Sequence, residues 1–354
     1  MNVETPMPQA APQQVVVVIP TLNEQAHVEG VAAGVLAEAD KLNLKLVIAD
    51  GGSTDATRAI ARRLAQRDDR LVLIDNPKRI QSAAVNEAVR QFGDKADFLI
   101  RLDAHARYPR HYCEGLVATQ QATNADAVVV TMRTEGTSCF QRAAAAAQNS
   151  LLGNGGSAHR NATEGRFVDH GHHALMRLSA YRSVGGYDEA FSHNEDAELD
   201  VRLNEAGFRI YLSGGTSITY YPRRSPIGLF RQYFRIGRGR AQNALKHRKH
   251  AKLRHLMLVV IAPIICLAAS APIWPILVAP AVAWASVCIA YGLVLGLRLR
   301  DGCAAAAGIA AIAMQAGWSF GFFAGLAAAA WRRRGRDSWR TRLAAPAHGP
   351  DGIA

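Results

Sequence analysis

Residues 15–24 read Val15-Val16-Val17-Val18-Ile19-Pro20-Thr21-Leu22-Asn23-Glu24, and the same change of character returns at 45–55, where Lys45-Leu46-Val47-Ile48-Ala49-Asp50 runs into Gly51-Gly52-Ser53-Thr54-Asp55. An unbroken run of β-branched residues is apolar on both faces of a strand, so the strand needs cover on both sides. Glu24–Asp40, Thr54–Gln66, Ser82–Phe92 and Arg110–Thr123 supply that cover, with apolar residues at the three- and four-residue spacing of helices. Further strands are expected at Leu71–Asp75, Asp97–Asp103 and Asp126–Arg133. The stretch Gly153–Phe167 is rich in Gly, Ser and Asn and reads as a mobile loop. Beyond it come strands at His173–Arg177 and around Phe208–Leu212, with a helix beginning near Asn194. Repeated strand–helix–strand order predicts an α/β fold with a mainly parallel sheet and ligands beyond the carboxyl ends of its strands.

The polar residues just past those strand ends are therefore the ones to weigh. Asp50 followed by two glycines fits a carboxylate that accepts hydrogen bonds from a base or ribose, and equally one that caps a helix while Gly51 and Gly52 turn the chain. Neither a GxGxxG fingerprint nor a P-loop is present. At the fourth strand end, Ile100-Arg101-Leu102-Asp103-Ala104-His105 sets Asp103 and His105 two apart, on one side of an extended segment. Together they can reach a hard divalent ion that also holds two phosphate oxygens and so neutralises a leaving diphosphate. Glu195-Asp196 follows Asn194 at a helix start. That placement suits the helix dipole, and it also suits a carboxylate poised to take a proton from a hydroxyl.

Of the 354 residues 49% are hydrophobic and 20% charged, but the charge is uneven. Up to residue 222 there are 22 Lys/Arg against 26 Asp/Glu; from 223 onward there are 19 against 3, giving the formal net charge of +12. Between Leu256 and Trp331 only Arg298, Arg300 and Asp301 are charged, which excludes a wholly soluble protein. Because the basic surplus flanks apolar spans, the positive-inside tendency accounts for it and no nucleic-acid partner is expected. In Arg223–Arg254, eleven Lys/Arg and no acid are interleaved with Leu229, Phe230, Tyr233, Phe234 and Ile236, the pattern of an amphipathic helix at a bilayer surface. Three apolar stretches follow, Leu256–Trp274, Ile276–Leu297 and Ala304–Trp331, with Pro272 and Pro275 at a turn. A single crossing by the third puts the Arg332–Arg336 cluster on the wrong side of the rule, and a re-entrant hairpin is the alternative. Met1–Gln14 lacks the basic and apolar regions of a signal peptide, so the first domain is expected in the cytosol. The five cysteines show no paired spacing, and neither a disulfide nor a zinc site is expected.

Taken together and in order, these sites resemble glycosyltransferase family 2, the inverting sugar-nucleotide transferases of GT-A (Rossmann-like) fold, over about residues 15–240. Val184-Gly185-Gly186-Tyr187-Asp188-Glu189, Asn194-Glu195-Asp196-Ala197-Glu198-Leu199, Tyr220-Tyr221-Pro222-Arg223 and Arg231-Gln232-Tyr233-Phe234-Arg235, followed by apolar spans, look most like the membrane glycosyltransferases of succinoglycan biosynthesis. The resemblance implies that Pro20, Thr21, Glu24, Asp50 and Asp103 hold the nucleotide-sugar, with Arg79 nearby. It also implies Mg²⁺ or Mn²⁺ at Asp103 and His105, Asp196 as catalytic base, and Glu195, Gln232 and Arg235 toward the acceptor and its phosphates. A UDP-sugar donor (glucose), a lipid-diphosphate-linked saccharide acceptor and other polysaccharide-assembly enzymes are the implied partners, at the cytoplasmic face of a multi-pass inner-membrane protein. Two departures stand out: His105 replaces the second acid of D-x-D, and Ile236 stands where processive synthases carry Trp after Gln232-x-x-Arg235. The missing Trp favours single addition over the rival reading, a polymerising synthase. A catalytically inactive sugar-nucleotide-binding scaffold is the other rival. The expected organisation is a disordered 1–14, a catalytic domain at 15–222, a basic interfacial helix region at 223–255, two or three transmembrane helices within 256–331, and a basic, disordered tail at 332–354.

Overall fold

The computed structural model describes residues 13–155, 164–247 and 253–343. Strands β1 (Gln14–Thr21), β2 (Asn43–Asp50), β3 (Leu71–Asp75), β4 (Phe98–Arg101), β5 (Ala127–Thr134), β6 (Arg166–Val168), β7 (His172–Arg177) and β8 (Ile210–Tyr220) form one sheet in the order β3-β2-β1-β4-β7-β5-β8-β6. β1 pairs in parallel with β2 and β4, β2 with β3, and β5 with β8. The α/β, mainly parallel expectation holds. Val15, Val17 and Ile19 face helices α1 (Val28–Leu36) and α4 (Tyr112–Thr123) in one core, while Val16 and Val18 face α3 (Gln81–Phe92), α7 (Leu178–Ser183) and α8 (Glu195–Glu205) in the other. Strand alternation thus divides a run of identical residues between two cores.

β7 lies antiparallel between β4 and β5, and its register, Phe98 opposite Arg177 and Ile100 opposite Leu175, sets its first residues beyond the end of β4. His172 is carried in this way to the carboxyl end of the sheet. Several boundaries differ from expectation. The segment after β1 is turned before α1 begins at Val28, and β8 runs on to Tyr220. The ends of the Gly153–Phe167 stretch are regular, as α6 (Leu151–Asn154) and β6, while residues 156–163 lie outside the described residues.

Beyond β8, α9 (Pro226–His247) is the basic helix. It does not float free of the domain. Asn194 Nδ2 donates to Ile236 O at 2.6 Å, and Lys246 bridges Asp188 (2.5 Å) and Glu198 (2.7 Å). Its apolar side has a protein partner too, because Leu229 is fully buried and the helix runs along α13 (Ala307–Leu343). A Cβ added at Gly317, Gly321 or Gly325 would run into the backbone oxygens of Phe230, Phe234 and Arg238 in turn, so the two helices meet backbone to backbone along a glycine seam. Replacing Gly321 by Val is expected to cost about 1–3 kcal/mol of stability by overpacking, read as a lowered unfolding temperature in detergent. An unchanged transition would remove the seam.

The first apolar stretch is two short helices, α10 (Leu253–Val259) and α11 (Ile261–Ala268), then the expected turn. Two segments, Pro275–Leu299, which contains α12 (Ala279–Leu299), and Ala304–Arg332, are long and apolar enough to cross a membrane. The third stretch is one continuous helix, which excludes the re-entrant hairpin, and it stays helical through 332–343, where a disordered tail was expected; residues 344–354 and 1–12 lie outside the described residues. The turn between α12 and α13 is tied to α5 (Cys139–Gln148) by an Arg142–Asp301 ion pair (2.6 Å) and a Cys139–Cys303 disulfide. The disulfide overturns the expectation of none: its cysteines are 164 residues apart, and no local spacing reveals such a pair. Cys113 and Cys288 are buried free thiols.

Candidate active site

Five side chains converge where β4, β7 and the start of α8 meet. Arg101, 3% exposed at the last position of β4, donates from Nη1 to Asp196 Oδ1 (2.7 Å) and from Nη2 to Asp196 Oδ2 (3.2 Å). The Tyr187 hydroxyl donates to the same Oδ1 at 2.7 Å. Arg101 Nη2 also stands 3.4 Å from His172 Nδ1, and since a guanidinium only donates, Nδ1 accepts and the neutral ring carries its proton on Nε2. That Nε2 faces Asp103 Oδ2 at 3.7 Å, while Nδ1 lies 3.7 Å from Asp196 Oδ2. The two acids therefore occupy opposite edges of a single imidazole.

The charges follow from this packing. Burial would raise the Asp196 pKa, but Arg101, the two neighbouring histidines and the Tyr187 hydroxyl outweigh it and hold the carboxyl well below the usual carboxylate range. Asp103 is lowered in the same contest, burial against Arg101, His172 and His105. His172 is lowered by burial and by Arg101, which keeps it neutral. Glu195 goes the other way: burial and the charge of Asp196 push it up to about 7, although Arg101 Nη1 lies 3.8 Å away.

An acid whose folded pKa lies above its unfolded one holds a proton that the unfolded chain releases, so stability falls as pH rises from about 4.5 to about 7. Glu195→Gln is expected to match wild type in melting temperature near pH 5 and to exceed it at pH 8. A wild-type melting curve with no decline over that interval, or a Gln variant that follows it, would remove the shift.

The expected nucleotide residues gather in an adjoining cavity of about 170 Å³, lined by Pro20, Thr21, Glu24, Arg79, Asp103 and His105 among others. Asp103 and His105 reach it differently from the expectation. β4 stops at Arg101, and a turn at Ala104-His105, pinned by Tyr108 (Asp103 N donates to its hydroxyl at 2.6 Å), replaces the extended segment. Gln81 Nε2 donates to Asp103 Oδ1 at 3.0 Å, and His105 Nδ1 meets Glu24 Oε1 at 2.9 Å, a contact that raises the imidazole pKa. Asn23, Arg79 and Asn194, all beside the cleft, have left-handed backbone (φ 58°, 58° and 63°), a conformation that costs energy in non-glycine residues and clusters at functional sites.

Asp50 does not line this cavity. It is 1% exposed, and its oxygens accept from the amides of Gly52 and Ser53, the Ser53 hydroxyl and Arg58 Nη1 (2.8 Å). These bonds brace the turn that follows β2. Glu195 lies beside Asp196, and Arg235 stands with Arg223 and Arg238 close enough to His193 to depress its pKa further after burial. Gln232 Nε2 donates to the Tyr220 hydroxyl at 2.7 Å. Sequence reasoning missed Arg101, His172 and Gln81. Arg101 did leave a signal, a cation closing the otherwise apolar run Phe98-Leu99-Ile100, which must find a partner once buried.

Residues 16–185 match the family model described as Glycosyl transferase family 2. The chain is 53% identical over 307 residues to the succinoglycan biosynthesis protein ExoA of Rhizobium meliloti (strain 1021), covering 87% of this chain and 93% of that protein. It is 25% identical over 231 residues to dolichyl N-acetyl-alpha-D-glucosaminyl phosphate 3-beta-D-2,3-diacetamido-2,3-dideoxy-beta-D-glucuronosyltransferase of Methanococcus voltae, covering 62% of this chain and 71% of that one. Among solved structures it is similar to mannosyltransferase PcManGT from Pyrobaculum calidifontis in complex with GDP-Man and Mn²⁺, with TM-score 0.54 and 20% identity over 87% of this chain and 89% of that one, a likeness of fold.

Proposed function

The chain belongs to glycosyl transferase family 2 and is a glycosyltransferase, and from that premise we propose that it moves one sugar, glucose, with inversion, from a UDP-sugar to a lipid-diphosphate-linked saccharide during exopolysaccharide assembly. The observation that carries the reading is the pair of acids, Asp103 and Asp196, on either edge of His172, one bordering the nucleotide cavity and the other set to face an acceptor. The exopolysaccharide context rests on the ExoA likeness.

The acceptor hydroxyl attacks the anomeric carbon from the side opposite the diphosphate. Its C–O bond forms as the bond to UDP breaks, and its proton passes to Asp196. Arg101 and Tyr187 keep that carboxylate ionised and aimed, so no prior deprotonation is needed at neutral pH. The cost is a weak base, and Glu195, pushed up to about 7, is a stronger one within the same cluster. Proton transfer to Glu195 is the second reading.

The donor set fits Mg²⁺ or Mn²⁺. His105 gives its Nδ1 side to Glu24, leaving Nε2 as the coordinating nitrogen, the arrangement common to metal-binding histidines. Asp103 would supply a carboxylate, and substrate phosphates would have to complete the coordination, because no three ligating side chains come together among the described residues. When bound, the ion offsets charge on the departing diphosphate.

Purified protein offered a panel of labelled UDP-sugars and lipid-linked acceptors is expected to release UDP and add a single residue from one of them. EDTA is expected to reduce transfer by at least tenfold, with Mn²⁺ or Mg²⁺ restoring it. Undiminished transfer in EDTA removes the metal, long polymer favours the processive reading, and no transfer with intact donor binding favours the scaffold. In cells, the two long apolar helices and the arginines of α9 are read as holding the domain on the cytosolic face of the inner membrane, with 15–222 as the catalytic domain, 223–255 as its interfacial region and other assembly enzymes as neighbours.

A further inference from the structure

A second cavity, about 470 Å³, lies where the catalytic domain meets the apolar helices. This is the size range of small-molecule sites. One wall is apolar, with Ile261 of α11, Trp284 and Val287 of α12, and Met314 and Trp318 of α13. The other carries Gln148, His170, Arg240 and His255, and no carboxylate among the described residues lines it. An apolar wall facing a polar one that carries the guanidinium of Arg240 suits an amphiphile with an anionic head.

Two further observations point to a ligand. Gln148 is 3% exposed, yet its Oε1 has no hydrogen-bond partner among the described residues; an amide oxygen only accepts, so it calls for a donor such as a sugar hydroxyl next to the diphosphate. Gln315 in the same cavity is satisfied, accepting from Trp284 Nε1 at 2.7 Å and donating to Leu152 O at 3.0 Å. The polar end also abuts the transfer site. His170 Nδ1 contacts Asp200 Oδ2 at 2.5 Å, one helical turn after Asp196, and His170 lies two residues before His172. At the apolar end Val287 is 64% exposed, so the cavity opens onto the outer face of α12 and a chain longer than the cavity can leave along it.

We infer that this cavity seats the first segment of the acceptor's lipid chain, with its diphosphate against Arg240 and His255 and its saccharide directed to Asp196. The inference rests on the reading of the chain as a transferase to a lipid-diphosphate-linked saccharide. Two acceptors with the same diphosphate saccharide, one long-chain and one short-chain and water-soluble, test it. Val287→Trp, which fills the apolar end, is expected to raise the ratio of long- to short-chain KM at least tenfold, and Arg240→Gln to raise KM for both. UDP-sugar binding by each variant checks the fold. An unchanged KM ratio in Val287→Trp, together with an unchanged KM for both acceptors in Arg240→Gln, overturns the inference. Brominated long-chain lipid diphosphate is also expected to quench the fluorescence of Trp284 and Trp318, and the loss to be smaller in Arg240→Gln; equal quenching overturns the cavity. Wild-type protein that transfers to neither acceptor overturns the underlying reading instead, and the quenching then decides the cavity by itself.

Discussion

Asp196→Asn is expected to lower kcat by roughly 10²–10⁴-fold, the range over which a positioned base contributes, with little change in donor KM. The amide keeps the shape of the carboxylate and still accepts from Arg101 and Tyr187 through its oxygen, but it cannot take the hydroxyl proton. Glu195→Gln alongside it separates the two proton acceptors. If the Asn variant retains most of its rate while the Gln variant is dead, Glu195 is the base and Asp196 serves to raise its pKa. If both variants transfer at the wild-type rate, neither acid does the chemistry. Steady-state kinetics with the preferred UDP-sugar measures all of these outcomes.

Arg101→Gln is expected to have the largest effect on stability, about 3–5 kcal/mol, the cost of leaving a buried carboxylate without its cation. The guanidinium is buried and bidentate to Asp196, and the other groups against that acid are one hydroxyl and a neutral imidazole, while His173 is paired with Asp200. Neither can balance a full charge. The double variant Arg101→Met with Asp196→Leu removes cation and anion together and is expected to recover much of the stability but no activity. Denaturant unfolding of the detergent-solubilised protein reads both. A single variant within experimental error of wild type would show that the pair is solvated in solution.

The same residues mark how far the chain could be read without its structure. The run Val15–Ile19 announced a strand covered on both faces, and Asp103 marked a candidate site because strand ends in a parallel sheet all point one way, whereas Asp196 was marked by its place at a helix start. The lining of the small cavity was legible in part for the same reason, since Pro20 and Thr21 close β1, Gly51 follows β2, Arg79 follows β3 and Asp103 follows β4. Asp50 was ambiguous in sequence because a turn-bracing and a ligand-binding carboxylate look alike there, and its bonds to Thr21 and Arg58 appear only in the fold. The environment of Asp196 was illegible. It depends on Arg101 and His172, 95 and 24 residues away, brought together because β7 inserts antiparallel between β4 and β5.

Local pattern, then, determined what depends on neighbours a few residues apart: strand and helix periods, the two sides of the sheet, the apolar spans and the residues just past each strand. Tertiary structure decided what depends on groups far apart in the chain. The Cys139–Cys303 link, the glycine seam between α9 and α13 and the opposed pKa shifts of Glu195 and Asp196 are of this kind. The physical reason is range: backbone periodicity is set by contacts one turn or one pleat away, whereas desolvation and charge coupling are set by whatever the fold packs within a few ångströms.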